Sequence, residues 1–319
     1  MSADELVPTI DIADPSATDL AAVDRACRDH GFFLLRGHGL DDVVDRTWGE
    51  ARRFFDSDRQ LRTAVERDEE NPLGWFDREL TKRRRDHKQV FDFIDPRSDA
   101  DSFNRWPSAE AFPALRPTLT EFFDAFSDLA DATASLVFTA LGLAPDTHAA
   151  FRGDRSNSTV RLNLYPVGDP VPADERNGLV DLGETALGFH TDPGVLTLLL
   201  QDDTGGLQAL AVDGGWVDIE PQAGTIVVNL ADAMQVWTND RYRAATHRVL
   251  TMTETDRMSI PYFSNPNRSA VIAPIPDVAD GPARYREFAW RDHMRARTDD
   301  NFRDLGAADT QITDYLIDA

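Results

Sequence analysis

Over its first 55 residues the chain switches between two periods of apolar and polar residues. "VPTIDI" (Val7 to Ile12) alternates and predicts a strand. "DPSATDLAAVDRACRDHG" puts Leu20, Val23 and Cys27 on one face of a helix, with Gly31 as its stop. "FFLLRGHG" (Phe32 to Gly39) is a short apolar strand closed by Gly37 and Gly39. "LDDVVDRTWGEARRFFDS" is an amphipathic helix that turns Val44, Trp48, Ala51 and Phe55 inward. Residues 58–107 lose this regularity and are rich in charge and turn formers; within them "LTKRRRDHKQVFDF" is a basic island that reads as a solvated face or as a lid. Ser108 to Leu143 predicts one long helix, or two broken near Pro117, with a broad apolar stripe from Leu119 to Leu141 that only Thr133 interrupts. Such a stripe belongs to a helix packed on a sheet.

From Ser158 the period becomes two. "TVRLNLYPV", "GVLTLLLQ", "GLQALAV", "GWVDIEP", "GTIVVNL", "AATHRVLTM" and "RMSIPYFSN" are short strands separated by turns, and "VDGGW" (Val212 to Trp216) marks a hairpin. Short strands with no helices alternating between them predict a sandwich or jelly roll, not a parallel α/β sheet. The fold class is a mostly β core with helices: a double-stranded β-helix wrapped by N-terminal and C-terminal helices. It divides into a mixed α/β region (1–107), a backing helix (108–157), the jelly-roll core (158–268) and a helical tail (269–319), all in one compact domain.

The charge narrows the choice of partners. The 319 residues carry a formal net charge of −23, which repels phosphate backbones and anionic lipid, so neither nucleic acid nor a membrane surface is expected as a partner. The acidity itself reads as a solubility device. The only cysteine, Cys27, allows no internal disulfide and fits a reducing cytoplasm. The first residues lack a basic region followed by an apolar core, and no apolar run approaches the roughly 20 residues of a bilayer span.

Chemistry enters with "GFHTDPGVLTLLLQ". In a continuous strand His190 and Asp192 share a face, about 7 Å apart, an arrangement that suits two ligands of one metal. His247 stands alone among apolar neighbours, 57 residues further on. His30, His38, His87, His148 and His293 read as satisfied core histidines. Two imidazoles and one carboxylate form the facial triad of non-haem Fe(II) oxygenases, with sites left open for a bidentate co-substrate and O2. Zinc held by the same residues is the rival, and a hydrolase of that kind needs a nearby carboxylate base; none is obvious, although Asp202 and Asp203 are close in sequence. On "RMSIPYF", Arg257, Ser259 and Phe263 share a face, and on "VRLNLYP" so do Arg161, Asn163 and Tyr165. Arg257 with Ser259 forms a carboxylate clamp to which Tyr165 adds a donor, suited to the far end of a dicarboxylate such as 2-oxoglutarate. A hairpin closing symmetrically about Met252 sets His247 opposite Arg257.

In the order and spacing of "VPTIDI…ACRDHGFFLLRGHGL", "RLNLYP", "HTDPGVLTLLLQD…GGLQAL", "GTIVVNLADAMQVWTND", "HRV" and "RMSIPYF", the chain resembles the isopenicillin N synthase-like Fe(II)/2-oxoglutarate-dependent dioxygenases over most of its length. The resemblance implies Fe(II) held by His190, Asp192 and His247. It implies 2-oxoglutarate held by Arg257 and Ser259, with Asn163 and Tyr165 assisting. The implied reaction uses O2 to hydroxylate, desaturate or cyclise a small organic molecule while 2-oxoglutarate becomes succinate and CO2. The carboxylate of Asp192 argues against halogenation. Some relatives keep the Arg-x-Ser pair without using 2-oxoglutarate, so an iron oxidase of the same fold stays open beside the zinc hydrolase and a non-catalytic sensor. For the substrate, Phe263, Arg161 and Phe76 are the candidate contacts, suggesting a small molecule with an apolar body, with or without an anionic group. Oligomeric state is not readable from the chain.

Overall fold

The computed structural model describes residues 7–144, 155–276, 278, 281–298, 301, 302, 306 and 310–317. Its elements are, in chain order, β1 (Thr9–Asp11), α1 (Ala17–Asp29), β2 (Phe32–Arg36), α2 (Asp41–Phe55), α3 (Arg59–Thr63), β3 (Gly74–Phe76), β4 (Leu80–Thr81), β5 (Arg84–Arg85) and β6 (Gln89–Ile94). The long helix α4 (Leu115–Ala140) follows, then β7 (Thr159–Tyr165), β8 (Leu187–His190), β9 (Leu196–Gln201), β10 (Leu207–Leu210), β11 (Trp216–Asp218) and β12 (Ile226–Leu230). The chain closes with α5 (Asp232–Trp237), β13 (His247–Val249), β14 (Arg257–Ser264), β15 (Val271–Ile272), β16 (Phe288–Ala289) and α6 (Trp290–Thr298).

Eight strands form the major sheet, in the order β1-β2-β12-β9-β14-β7-β6-β3, and four form the minor sheet, β11-β10-β13-β8. All pairings in both are antiparallel except β1 with β2. A small core containing Phe32, Leu34, Tyr165, Leu199, Leu207, Ala209, Val227 and Val249 joins the two sheets into a jelly roll. A larger core lies on the other side of the major sheet, under α1, α2 and α4.

Strand alternation decides what faces what. Phe33 and Leu35, Phe91 and Phe93, Val160 and Leu162, Leu198 and Leu200, Val228 and Leu230, and Ile260 and Tyr262 all enter the helix-side core. Their alternates include Asp92, Arg161, Asn163, Thr197, Asn229, Arg257 and Ser259, which line a cavity of about 1240 Å3 between the sheets. The period of two thus separates a dry face from a polar one on the same strands.

The helices follow their sequence signals. Ser16 caps α1 through a reciprocal pair with Asp19. Gly31 ends that helix at φ +76°, and a Cβ there would lie 2.5 Å from the Arg243 carbonyl oxygen. Pro117 does not break α4, because it sits in the first turn, where an amide N–H has no helical partner. Thr133 is buried in the apolar stripe and satisfies its hydroxyl on the Leu129 carbonyl at 2.7 Å.

Three expectations change. The charged segment 58–107 is a solvated face only in part: Lys82, Arg83 and Arg84 of the basic island are exposed, but β3 and β6 are strands of the major sheet, and Glu79, Arg85, Asp86 and Lys88 are buried. Its buried charges are paired, some within the segment (Arg67 and Lys88 with Glu79) and some with residues beyond it (Arg85 with Asp169, Glu79 and Asp92 with Arg161), which lets them leave water. The tail 269–319 is not simply helical, because β15 and β16 pair before α6 begins. His247 and Arg257 are not cross-strand neighbours. His247 pairs with Ala209 and His190 in the minor sheet, and Arg257 pairs with Tyr165 in the major one. The connection between them crosses from sheet to sheet, with Met252 buried in the core that joins the two. Residues 145–154 of the expected backing region, His148 included, lie outside the described residues.

Candidate metal and co-substrate site

His190 ends β8, His247 begins β13, and the two are cross-strand partners with ring centroids 4.3 Å apart. Each ring is fixed by its Nδ1, at 2.9 Å from the carbonyl of Gly188 and of Ala245 respectively. A carbonyl only accepts, so Nδ1 carries the proton in both rings and Nε2 presents a lone pair. Both Nε2 atoms face Asp192 Oδ1, at 3.6 Å from His190 and 4.0 Å from His247. The other oxygen, Oδ2, accepts from Thr197 Oγ1 at 2.6 Å and from Asn229 Nδ2 at 2.9 Å. One ligand atom from each residue falls within 4.8 Å of the other two, the compactness a single metal ion requires.

Asp192 does not share a strand with His190, as strand geometry suggested. β8 stops at His190, the chain bends, and Asp192 precedes β9 in the other sheet. The bend is held from behind, because the Asp232 and Ala233 amides donate to the Asp192 and Gly194 carbonyls at 2.8 and 2.9 Å. Gly194 is required there: a Cβ would lie 2.6 Å from the Ser264 carbonyl oxygen as well as 2.4 Å from Asn265 Oδ1. Burial, then the neighbouring His247, outweigh the Asp192 carboxylate and push His190 down to about 3, so its imidazole is neutral and fit to ligate. Burial opposes charge on Asp192 too, but the two imidazoles and the bonds from Thr197 and Asn229 hold it below the usual carboxylate range.

Deeper in the cavity lies Arg257, 1% exposed. Its Nη2 is 3.4 Å from Gln201 Oε1, while Nε and Nη1 have no hydrogen-bond partner. Burial pulls this guanidinium down from its ordinary pKa, with Tyr165 and Asp202 in partial opposition. Tyr165 and Asn163 stand directly across the ladder from Arg257 and Ser259. Asn163 Nδ2 donates to Ser259 Oγ at 3.2 Å, and Asn163 Oδ1 is another buried atom without a partner. A buried cation with unused donors is costly unless an anion completes it. Asp202, a possible hydrolytic base, instead accepts from the Thr204 and Met258 amides and lies outside the cavity lining.

The structure brings His190, Asp192, His247, Arg257, Ser259, Asn163 and Tyr165 to one cavity, and Phe263 lines it further out. Two expected substrate contacts change. Phe76 is not in the lining; it stacks behind Arg67 and Phe302, at 5.1 and 5.2 Å. Arg161 reaches the cavity already engaged, with four bonds of 2.6–3.0 Å to Asp92 and Glu79. Sequence reading passed over Thr197, Asn229 and Asp92, each a lone polar residue in an apolar strand, and that isolation was the available signal. It expected helix in the tail but gave it no part in the site, although α6 adds Trp290, Met294 and Arg297 to the lining. Of the histidines expected in the core, His30 is buried with Nδ1 accepting from the Phe32 amide at 3.1 Å, and His293 pairs with Asp232 at 3.1 Å.

Residues 156–266 match the 2OG-Fe(II) oxygenase superfamily, and residues 7–109 match the N-terminal region described as non-haem dioxygenase in morphine synthesis. Gibberellin 2-beta-dioxygenase of Phaseolus coccineus is 31% identical over 311 residues, covering 91% of this chain and 86% of that protein. The chain belongs to the 2OG-Fe(II) oxygenase superfamily. It is a non-haem Fe(II)- and 2-oxoglutarate-dependent dioxygenase. A full-length protein of Neurospora crassa, solved with alpha-KG and 5-formyluracil, superposes with a TM-score of 0.77 at 25% identity, over 92% of this chain and 96% of that one. JOX2, solved with 2OG, Fe and JA, shares the fold at a TM-score of 0.82 and 23% identity, over 98% of this chain and 89% of that one. The residues present fit the group: two imidazoles and a carboxylate suit Fe(II), and the unpartnered Arg257 donors suit a carboxylate of the co-substrate.

Proposed function

We propose that His190, Asp192 and His247 hold Fe(II), and that Arg257 and Ser259, aided by Asn163 and Tyr165, hold the distal carboxylate of 2-oxoglutarate. The observation that carries this reading is the buried Arg257, whose Nε and Nη1 have no partner in a cavity it shares with the triad. Iron and 2-oxoglutarate supply, when bound, an oxidant able to take hydrogen from an unactivated C–H bond, with succinate and CO2 as by-products. The chain supplies position and dryness. Thr197 and Asn229 aim Asp192, the Gly188 and Ala245 carbonyls aim the imidazoles, and Leu199, Leu207 and Val249 line the cavity with apolar surface that excludes water.

The substrate of this reading is a small organic molecule with an apolar body, which is hydroxylated, desaturated or cyclised. Pro261, Phe263, Trp290, Met294 and Phe302 give the cavity an apolar side. The Phaseolus relative is named for a gibberellin and the Neurospora protein was solved with 5-formyluracil, both small enough for a cavity of about 1240 Å3. Neither nucleic acid nor a membrane surface belongs to this reading, in keeping with the net charge of −23. No helix among the described residues is long and apolar enough to cross a membrane. We place the enzyme in the cytoplasm, where the buried, unpaired Cys27 stays reduced. Calorimetry with Mn(II) in place of iron tests the assignment. Wild type binds 2-oxoglutarate, and Arg257→Ala binds it at least about tenfold more weakly, the loss expected for a charge-assisted pair. Equal affinities would remove Arg257 from the co-substrate site.

A further inference from the structure

One wall of the cavity is built from charged residues that the iron and co-substrate assignment leaves unused: Arg67, Glu79, Lys88, Asp92 and Arg161. Glu79 accepts four bonds, from Arg67 Nη2 at 2.5 Å, Arg161 Nη1 and Nη2 at 2.9 and 3.0 Å, and Lys88 Nζ at 2.6 Å. That fills the roughly four acceptor positions of a carboxylate. Asp92 takes Arg161 Nε at 2.6 Å and Nη2 at 3.0 Å, together with Arg67 Nη1. Asp86, behind Lys88 and outside the lining, takes Nζ at 3.0 Å and Thr81 Oγ1 at 2.8 Å. The charges balance, with Arg67, Lys88 and Arg161 against Glu79, Asp86 and Asp92.

The donors are not exhausted. An ammonium has three donor hydrogens and a guanidinium about five; Glu79 and Asp86 engage two on Lys88, and Glu79 and Asp92 engage four on Arg161. One N–H of Lys88 and one of Arg161 are thus left over, on two residues that line the cavity and belong to a cluster without net charge. Lys88 lines the same cavity as His190, Asp192 and His247.

We propose that this wall selects a neutral substrate by an acceptor oxygen, a ketone, lactone, ester or amide carbonyl, which Lys88 and Arg161 bind while rejecting carboxylates. The inference rests on the iron and co-substrate placement above and replaces the anionic group that Arg161 suggested in the sequence. A carbonyl needs only the spare donors. A carboxylate adds an uncompensated charge to a balanced buried cluster and has to compete with Glu79 for the same cations. Of the cations that α6 adds to the lining, Arg291 and Arg295 are exposed, and the half-buried Arg297 directs its Nη donors to the Thr191 and Thr310 carbonyls at 2.6 and 3.3 Å, fastening the helix to the loop that carries Asp192.

The test loads the enzyme anaerobically with Fe(II) and 2-oxoglutarate until the visible band of the chelated keto acid forms. It is then titrated with acid and amide pairs: benzoate and benzamide, cinnamate and cinnamamide, indole-3-acetate and indole-3-acetamide. Binding is read as perturbation of the band and as a shift in Tm. The amides bind about tenfold more tightly than their acids. Glu79→Gln, which frees donors and adds a positive charge, moves that ratio about tenfold toward the acids. Asp86→Asn makes the same change of charge without touching the lining, and moves the ratio the same way if Glu79→Gln does not fold. Acids binding more tightly to wild type, neither class binding at millimolar concentration, or a ratio that no folded variant moves, overturns the proposal. Absence of the band overturns the iron and co-substrate placement, and this inference with it, so the two failures are told apart.

Discussion

At the scale of single residues, the site depends on what orients Asp192. Thr197 and Asn229 occupy one carboxylate oxygen and leave the other to the imidazoles. Thr197→Val keeps the shape and removes the 2.6 Å bond. We expect iron affinity to fall about 10–100-fold with the fold retained, which metal titration alongside circular dichroism would measure; an unchanged affinity would show that Asn229 alone suffices. Glu79 gives a second prediction, of opposite kind. Burial opposes its ionisation, but Arg161, Lys88 and Arg67 hold it well below the ordinary carboxylate value. A group depressed on folding stabilises above its unfolded pKa, here the ordinary glutamate value of 4.5, and loses that contribution as pH falls through the folded value. The Tm advantage of wild type over Glu79→Gln is therefore largest near neutrality and shrinks below about pH 4.5. A constant gap down to pH 3 would contradict the ion-pair account. Residues such as His190, Asn163, Arg257 and Ser259 were legible because each is a polar side chain in an apolar, period-two run. Glu79 and Lys88 were not, since inside a charged stretch a buried ion pair looks like a solvated one.

At the scale of elements, alternation along the strands does most of the sorting. The seven short runs from Thr159 to Ser264 are strands, and each of β6, β7, β9, β12 and β14 sends one set of side chains to the helix-side core and the other to the cavity. What alternation does not encode is which sheet a strand joins. β13 and β14 are separated by a short connection that reads as a hairpin, yet they lie in different sheets. The same blindness concealed the corner between His190 and Asp192. Stability should separate from chemistry along this division. Phe123 is buried on α4 against Phe93 and Tyr262, away from the cavity. Phe123→Ala should lower unfolding free energy by about 3–5 kcal/mol while 2-oxoglutarate affinity, measured well below the transition, stays unchanged. A parallel loss of affinity would mean that helix packing sets the geometry of the polar face.

At the scale of the whole molecule, the cluster of His190, Asp192 and His247 lies where the two sheets meet. The minor sheet brings both imidazoles, the turn before β9 brings Asp192, and alternate ladder pairs on β7 and β14 bring Arg257 with Tyr165 and Ser259 with Asn163. The N-terminal segment adds β6 and the charged wall, and α6 closes the far side, with Arg297 and Trp290 bonded to the Thr191 and Pro193 carbonyls of the iron loop. One measurement tests this assembly most directly. Metal-free protein is titrated anaerobically with Fe(II) and then with 2-oxoglutarate, and the metal-to-ligand charge-transfer band of the chelated keto acid is followed in wild type, His190→Ala and Arg257→Ala. The band should form in wild type, vanish in His190→Ala and need far more 2-oxoglutarate in Arg257→Ala. Iron bound without a band in wild type, or a band indifferent to both substitutions, would contradict the assignment of these residues to metal and co-substrate.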